Sequence, residues 1–291
     1  MDLPFQITTP MRAARTNTPP AFEMPAGACD THFHVFEEGY PSVDAPQYTF
    51  PEATLDQYLA LADVLGVERM VLVQPTYYGE DGALLIDALS RLGERARGVA
   101  RVADDVSAGL LDAYDRAGVR ALRLDLFTRR EQPLDELLAY VRRMADIAAP
   151  RDWHLQFYAP GSVVHALLPL LGGLPVPYVV DHLGYMKASD GLGDAGTAVL
   201  LAALDAGNCW IKLSGAYRVA AGAPLDTVVP LGRALVQARS DRLIWGSDWP
   251  HLPDGQRDTG EVLNLLAEWA PDPADRRRIL VDGPDALFFG R

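Results

Sequence analysis

Cys29-Asp30-Thr31-His32-Phe33-His34-Val35-Phe36 is a short, mostly apolar run that carries two imidazoles. A β-strand turns alternate side chains to opposite faces, so a strand here puts His32 and His34 on the same face. A helical pattern follows at 54–65, where Tyr58, Leu61, Ala62 and Leu65 fall on one side. Another apolar run comes at 69–74, and the alternation then continues to the end of the chain. Strands are expected at 29–36, 69–74, 96–102, 119–126, 154–158, 178–181, 209–213 and 242–246. Helices are expected at 54–65, 83–92, 107–117, 134–148, 162–171, 196–206, 225–238 and 260–269. Short apolar strands in strict alternation with helices predict an α/β protein, a single (β/α)8 TIM-type barrel. The competing doubly wound sheet is disfavoured, because no glycine-rich phosphate loop follows any of these strands. Residues 1–26, rich in Pro, Thr and Arg and without periodicity, read as an N-terminal arm, and 27–291 as the barrel.

Composition narrows the function. The 291 residues suit one barrel of about 250 residues. At 49% hydrophobic the chain is not a disordered one. Asp plus Glu outnumber Lys plus Arg by 39 to 26, a net charge of −13, which argues against a nucleic-acid partner. Cys29 and Cys209 are too few for a disulfide scaffold or a Cys-rich zinc site. No signal-type h-region and no apolar stretch long enough to span a bilayer is visible, so a cytoplasmic protein with no membrane partner is expected.

In such a barrel, chemistry sits at the C-terminal ends of the strands. Strand 1 ends in His32 and His34, strand 6 in Val180-Asp181-His182-Leu183-Gly184, and strand 8 in Trp245-Gly246-Ser247-Asp248-Trp249-Pro250-His251. Each residue has a bland reading, as a core histidine or a turn aspartate, but together they converge on one mouth. Arg123 interrupts an apolar strand, and a buried Arg needs an anion: Asp125, Asp181 or a substrate carboxylate. Arg130 and Arg218 follow strands 4 and 7, and Tyr158 ends strand 5. Tyr48 and Tyr77 lie in early loops, as substrate contacts or as aromatic packing over the mouth.

These motifs, with Lys212-Leu213-Ser214-Gly215-Ala216-Tyr217-Arg218 and Val73-Gln74, resemble the amidohydrolase superfamily. More narrowly they resemble its lactonase branch, typified by 2-pyrone-4,6-dicarboxylate lactonase. The resemblance implies a hydrolase that opens a carboxylated lactone, pyrone-, muconolactone- or sugar-acid-like, and barrels that often self-associate. Asp248 would be the general base, with His32, His34 and His182 polarising the carbonyl. Arg123, Arg130, Arg218, Tyr48 and Tyr158 would hold the anionic lactone. Many relatives bind one or two metals using a strand 4 Lys or Glu and a strand 5 His. Here strand 4 offers Arg123 and Asp125, and strand 5 ends in Tyr158, with His154 at its far end. A binuclear centre is therefore not expected, and the resemblance to the 2-pyrone lactonase type, which works without metal, implies a metal-free site. One Zn²⁺ on His32, His34, His182 and Asp248 is the alternative. Rival activities on the same barrel are a metal-dependent decarboxylase of an aromatic acid, a sugar-lactone isomerase and a non-catalytic small-molecule binder.

Overall fold

The computed structural model describes residues 17–43, 53–252, 255 and 257–290. Eight parallel strands follow one another around a single sheet in chain order. They are β1 (Cys29–Phe33), β2 (Arg69–Val73), β3 (Ala96–Ala100), β4 (Val119–Asp125), β5 (His154–Tyr158), β6 (Tyr178–Val180), β7 (Cys209–Leu213) and β8 (Leu243–Trp245). Around them lie α1 (Leu55–Leu65), α2 (Ala83–Leu92), α3 (Ala108–Ala117), α4 (Leu134–Ala148), α5 (Gly161–Leu167), α6 (Ala195–Asp205), α7 (Ala216–Ala220), α8 (Val229–Arg239), α9 (Thr259–Trp269) and α10 (Pro273–Arg277). The expected (β/α)8 barrel is the observed fold.

The seam between β1 and the end of β8 shapes the site. Thr31 Oγ1 donates to Trp245 O at 2.7 Å. Beyond β8, Asp248 N donates to His32 O and His34 N to Trp249 O, each at 2.8 Å. The bonds that shut the barrel therefore also set Asp248 beside both strand 1 histidines. Gly246 permits this approach, since a Cβ there would lie 2.5 Å from His32 Cβ.

Local signals account for the outer ring. In α1, the Thr54 side chain accepts from Gln57 N while Gln57 Oε1 accepts from Thr54 N, a reciprocal N-terminal cap. Gly66, at φ 69°, closes the helix in the left-handed region. Leu55, Tyr58, Leu61, Ala62 and Leu65 form its buried face, as the spacing predicts. The barrel interior is a separate core in which Val71, Val99, Ala121 and Val179 meet Leu287 and Phe288 from the chain's end. His154 lies here, its ring 4.7 Å from that of Phe288, far from the mouth as expected.

Boundaries differ where backbone partners change. β1 ends at Phe33 rather than 36, because His34 N turns to Trp249 O and Phe36 N to Ala53 O. The helix expected from 225 begins at Val229 after a tight turn, Leu225–Val228. Pro230 lacks an N–H and is tolerated only in a first turn. Within the expected arm, residues from Asn17 onward are described, and they lie on α9. Thr18 N and Oγ1 donate to the Asp258 carboxylate, and Ala21 N donates to Asn264 Oδ1 at 2.7 Å. Tyr48 falls outside the described residues. Among those described, no helix is long and apolar enough to cross a membrane.

Candidate active site

Three imidazoles converge on one carboxylate oxygen. Asp248 Oδ1 lies 3.6 Å from His32 Nε2 and 3.8 Å from both His34 Nε2 and His182 Nε2. All four side chains are buried, yet Oδ1 accepts no hydrogen bond among the described residues. The other oxygen, Oδ2, is held by the Tyr217 hydroxyl and by Arg218 Nε at 2.8 Å. Burial works to raise the Asp248 pKa, but Arg218 and the three histidines together hold the carboxyl well below the usual range. Asp248 and His182 both have positive φ, 61° and 53°. Non-glycine residues adopt that region at a cost of order 1–3 kcal/mol, and such strain gathers at functional sites.

The imidazoles are oriented from behind. His34 Nδ1 lies 2.7 Å from Val73 O, and a carbonyl can only accept, so a neutral His34 turns a lone pair on Nε2 toward Asp248. His182 Nδ1 is 2.9 Å from Ser214 Oγ. Burial lowers the pKa of all three rings, that of His182 to about 3, which favours the neutral form that can act as a ligand. His32 Nδ1 faces inward, 3.5 Å from Asp181 Oδ1 and 3.3 Å from Lys212 Nζ. Lys212 and His32 hold the fully buried Asp181 far below the carboxylate range, against the opposing effect of burial. Lys212 and Gln156 were not singled out by sequence reasoning. The signal was available: Lys212 interrupts apolar β7 just as Arg123 interrupts β4.

A cavity of about 540 Å³, including the space open to solvent, lies over these groups. Of the sequence candidates, His34, His182, Asp248, Arg123, Arg218, Tyr158 and Tyr77 line it. Arg123 donates to Gln74 O at 2.8 Å and its guanidinium lies over the Tyr158 ring, 4.5 Å from the centroid. Asp125 is 3.6 Å from Arg101 instead, and Asp181 is 3.4 Å from Lys212, so neither structural partner considered for Arg123 is paired with it. Among the described residues Arg123 makes no ion pair. Arg130 donates to Phe127 O and lies 3.4 Å from Glu131, and it does not line the cavity. Arg218 lines the cavity while bound to Asp248.

This barrel, with histidines ending β1 and following β6 and an aspartate following β8, is an amidohydrolase. Residues 29–290 match the Amidohydro_2 amidohydrolase family, and the chain belongs to it. It is a hydrolase by that membership. It is 37% identical to a 4-sulfomuconolactone hydrolase of Rhizobium radiobacter over 290 residues, 96% of each chain. Among solved structures it resembles a 2-pyrone-4,6-dicarboxylic acid hydrolase assignment from Pseudomonas putida, with TM-score 0.80 and 31% identity, covering 91% of this chain and 98% of that one. A Burkholderia multivorans amidohydrolase with zinc bound shares the fold at TM-score 0.72 and 20% identity, covering 90% of this chain and 99% of that one.

The expectation of a metal-free site is corrected by the geometry. Two groupings, His32–His34–Asp248 and His32–Asp181–His182, each bring their ligand atoms within 4.8 Å of one another. Imidazole nitrogens with one carboxylate oxygen are a donor set suited to zinc. The Asp248 oxygen without a hydrogen bond is what a cation would satisfy. Strands 4 and 5 misled because they lack the usual extra ligands, yet strands 1, 6 and 8 suffice to surround one ion.

Proposed function

We propose that this hydrolase opens a carboxylated lactone by attack of water on the ring carbonyl, in a metal-assisted form of the reaction. The observation that carries the reading is Asp248 Oδ1, buried, without a hydrogen bond and ringed by three imidazole nitrogens beneath an open cavity. A divalent ion held by His32, His34, His182 and Asp248 would supply Lewis-acid polarisation of the carbonyl oxygen. The chain's own groups do the rest. Asp248 takes a proton from water as general base, its carboxylate fixed in place by the Tyr217 and Arg218 contacts to Oδ2. The new C–O bond forms as the ring C–O bond breaks, and Asp248 returns the proton to the leaving ring oxygen. Arg123 pairs with a substrate carboxylate through its planar fork, with the Tyr158 ring against it and Tyr77 also lining the cavity. Relatives named for 4-sulfomuconolactone and 2-pyrone-4,6-dicarboxylic acid support an anionic lactone as the substrate class.

The test is a panel of lactones, each as free acid and as methyl ester, assayed with metal-free and zinc-reconstituted enzyme in H₂¹⁸O. Turnover of the acids well above their esters, with one ¹⁸O in the product carboxylate and a gain on reconstitution, is the expected result. An unlabelled isomeric product would assign the site to an isomerase, and release of CO₂ to a decarboxylase.

A further inference from the structure

Behind the histidines the chain places a positive charge of its own. Lys212 is fully buried in β7, and its Nζ lies 3.0 Å from Thr31 O, 2.9 Å from Gln156 Oε1, 3.3 Å from His32 Nδ1 and 3.4 Å from Asp181 Oδ1. Two carbonyl oxygens, an imidazole nitrogen and a carboxylate are also what a small metal ion would gather around itself. The two possible metal groupings share His32; one adds His34 and Asp248, which both line the cavity, and the other adds His182, which lines it, and Asp181, which does not. The outer one, with His34 and Asp248, borders the cavity. The inner one, with Asp181, has the ammonium against two of its three members.

We propose that Lys212 is a built-in cation that occupies the inner grouping and confines a metal ion to the outer one, so that the site holds a single ion. A divalent ion bonds such atoms at about 2.0–2.2 Å. Placed between Asp181 and His32 Nδ1, it would press directly on the ammonium. Like charges that close repel strongly in a buried setting, where little solvent screens them. Asp181 meanwhile needs a positive partner, because a buried carboxylate without one is costly. Lys212 meets that need without borrowing a metal, and it leaves His32 Nε2 directed at the outer position. Lys212 is thus a positioning residue. The inference rests on the metal-assisted reading above for its outer ion, while its claim about the inner grouping can be judged separately.

The experiment counts ions. Metal-free wild type, Lys212→Met and the Lys212→Met/Asp181→Asn double variant are titrated with Zn²⁺ against a chromophoric chelator. Bound metal is then measured by elemental analysis after desalting. Wild type is expected to hold one equivalent, Lys212→Met to gain a second, and the double variant to lose that second one. A Lys212→Met protein with native circular dichroism and no more zinc than wild type overturns the proposal, as does a wild type that holds two. If wild type binds none while Lys212→Met gains one, the outer-site reading fails and the role of Lys212 stands. His34→Ala decides the matter even if Lys212→Met does not fold, because His34 belongs only to the outer grouping. Loss of the wild-type ion in His34→Ala supports the confinement, and an ion retained at full affinity places it in the inner grouping and overturns it.

Discussion

The two ends of the barrel interior are built from opposite chemistry. At the lower end Cys29, Val71, Val99 and Ala121 pack against Leu287 and Phe288, with His154 as an edge-on aromatic neighbour. At the upper end His32, His34, His182, Asp248 and Arg123 are equally buried but polar. The lower end is dominated by apolar side chains packed on one another. At the upper end Asp248 Oδ1 accepts no hydrogen bond and the buried Arg123 guanidinium has no carboxylate partner among the described residues. Buried polar groups are ordinarily satisfied, so what is left over at one end of the same barrel marks where something from outside belongs.

That contrast can be broken at several points. Asp248→Asn keeps the shape and removes the proposed base. Turnover is expected to fall by about 10³-fold or more with the fold intact, in the upper part of the range for general-base removal. Near wild-type kcat in a folded variant would remove Asp248 from the chemistry. At the opposite end, Phe288→Ala leaves a cavity in the lower plug and is expected to cost about 3–5 kcal/mol of stability. Denaturant unfolding measures it, and the kcat of the surviving folded protein should be unchanged. A large fall in kcat there would mean that the two ends are not independent.

Arg123→Met keeps an apolar stem and removes the guanidinium that lies over Tyr158. The expected loss is about 2–5 kcal/mol in kcat/KM for a carboxylated lactone. The loss should be far smaller for the methyl ester, and equal losses on acid and ester would make Arg123 structural.

The smallest effect belongs to the N-terminal segment. Asp258 is N-cap to α9 and anchors Thr18, and Asp258→Ala should cost about 1 kcal/mol. Burial works to raise the Asp258 pKa, but hydrogen bonds from Thr18, Glu261 and Gly260 hold it below the usual value. A carboxyl lowered on folding contributes stability above its unfolded pKa and loses it as pH falls through the folded one. Limited proteolysis ahead of Ala21 should therefore speed up in acid for the wild type. In Asp258→Ala it should be fast already and show no such pH step.

Much of this protein could be read one residue at a time. Strand and helix periods are local, because they follow from the geometry of a few consecutive residues, and alternation alone specified the barrel. The barrel in turn predicted where chemistry sits, so His32, His34, His182 and Asp248 stood out as candidates from their positions at strand ends. Arg123 was legible because a charge inside an apolar strand is costly enough to need a reason. Lys212 obeyed the same rule and was passed over, since only the closed barrel brings β7 against β1 and shows what the ammonium faces. Tertiary structure alone decided three further matters. It paired Asp125 with Arg101 and Asp181 with Lys212, leaving Arg123 for the cavity; it turned Arg130 to Phe127 and Glu131; and it tied Arg218 to Asp248. It also set the three imidazole nitrogens around one oxygen, which revised the expectation about metal. Such contacts depend on distances that link residues far apart in the chain, 3.6 Å between His32 and Asp248, 216 positions apart, and 2.8 Å between Arg218 and Asp248, 30 positions apart. The period of a strand carries no record of them, because it states which face a side chain occupies and leaves its partner to the closure of the barrel.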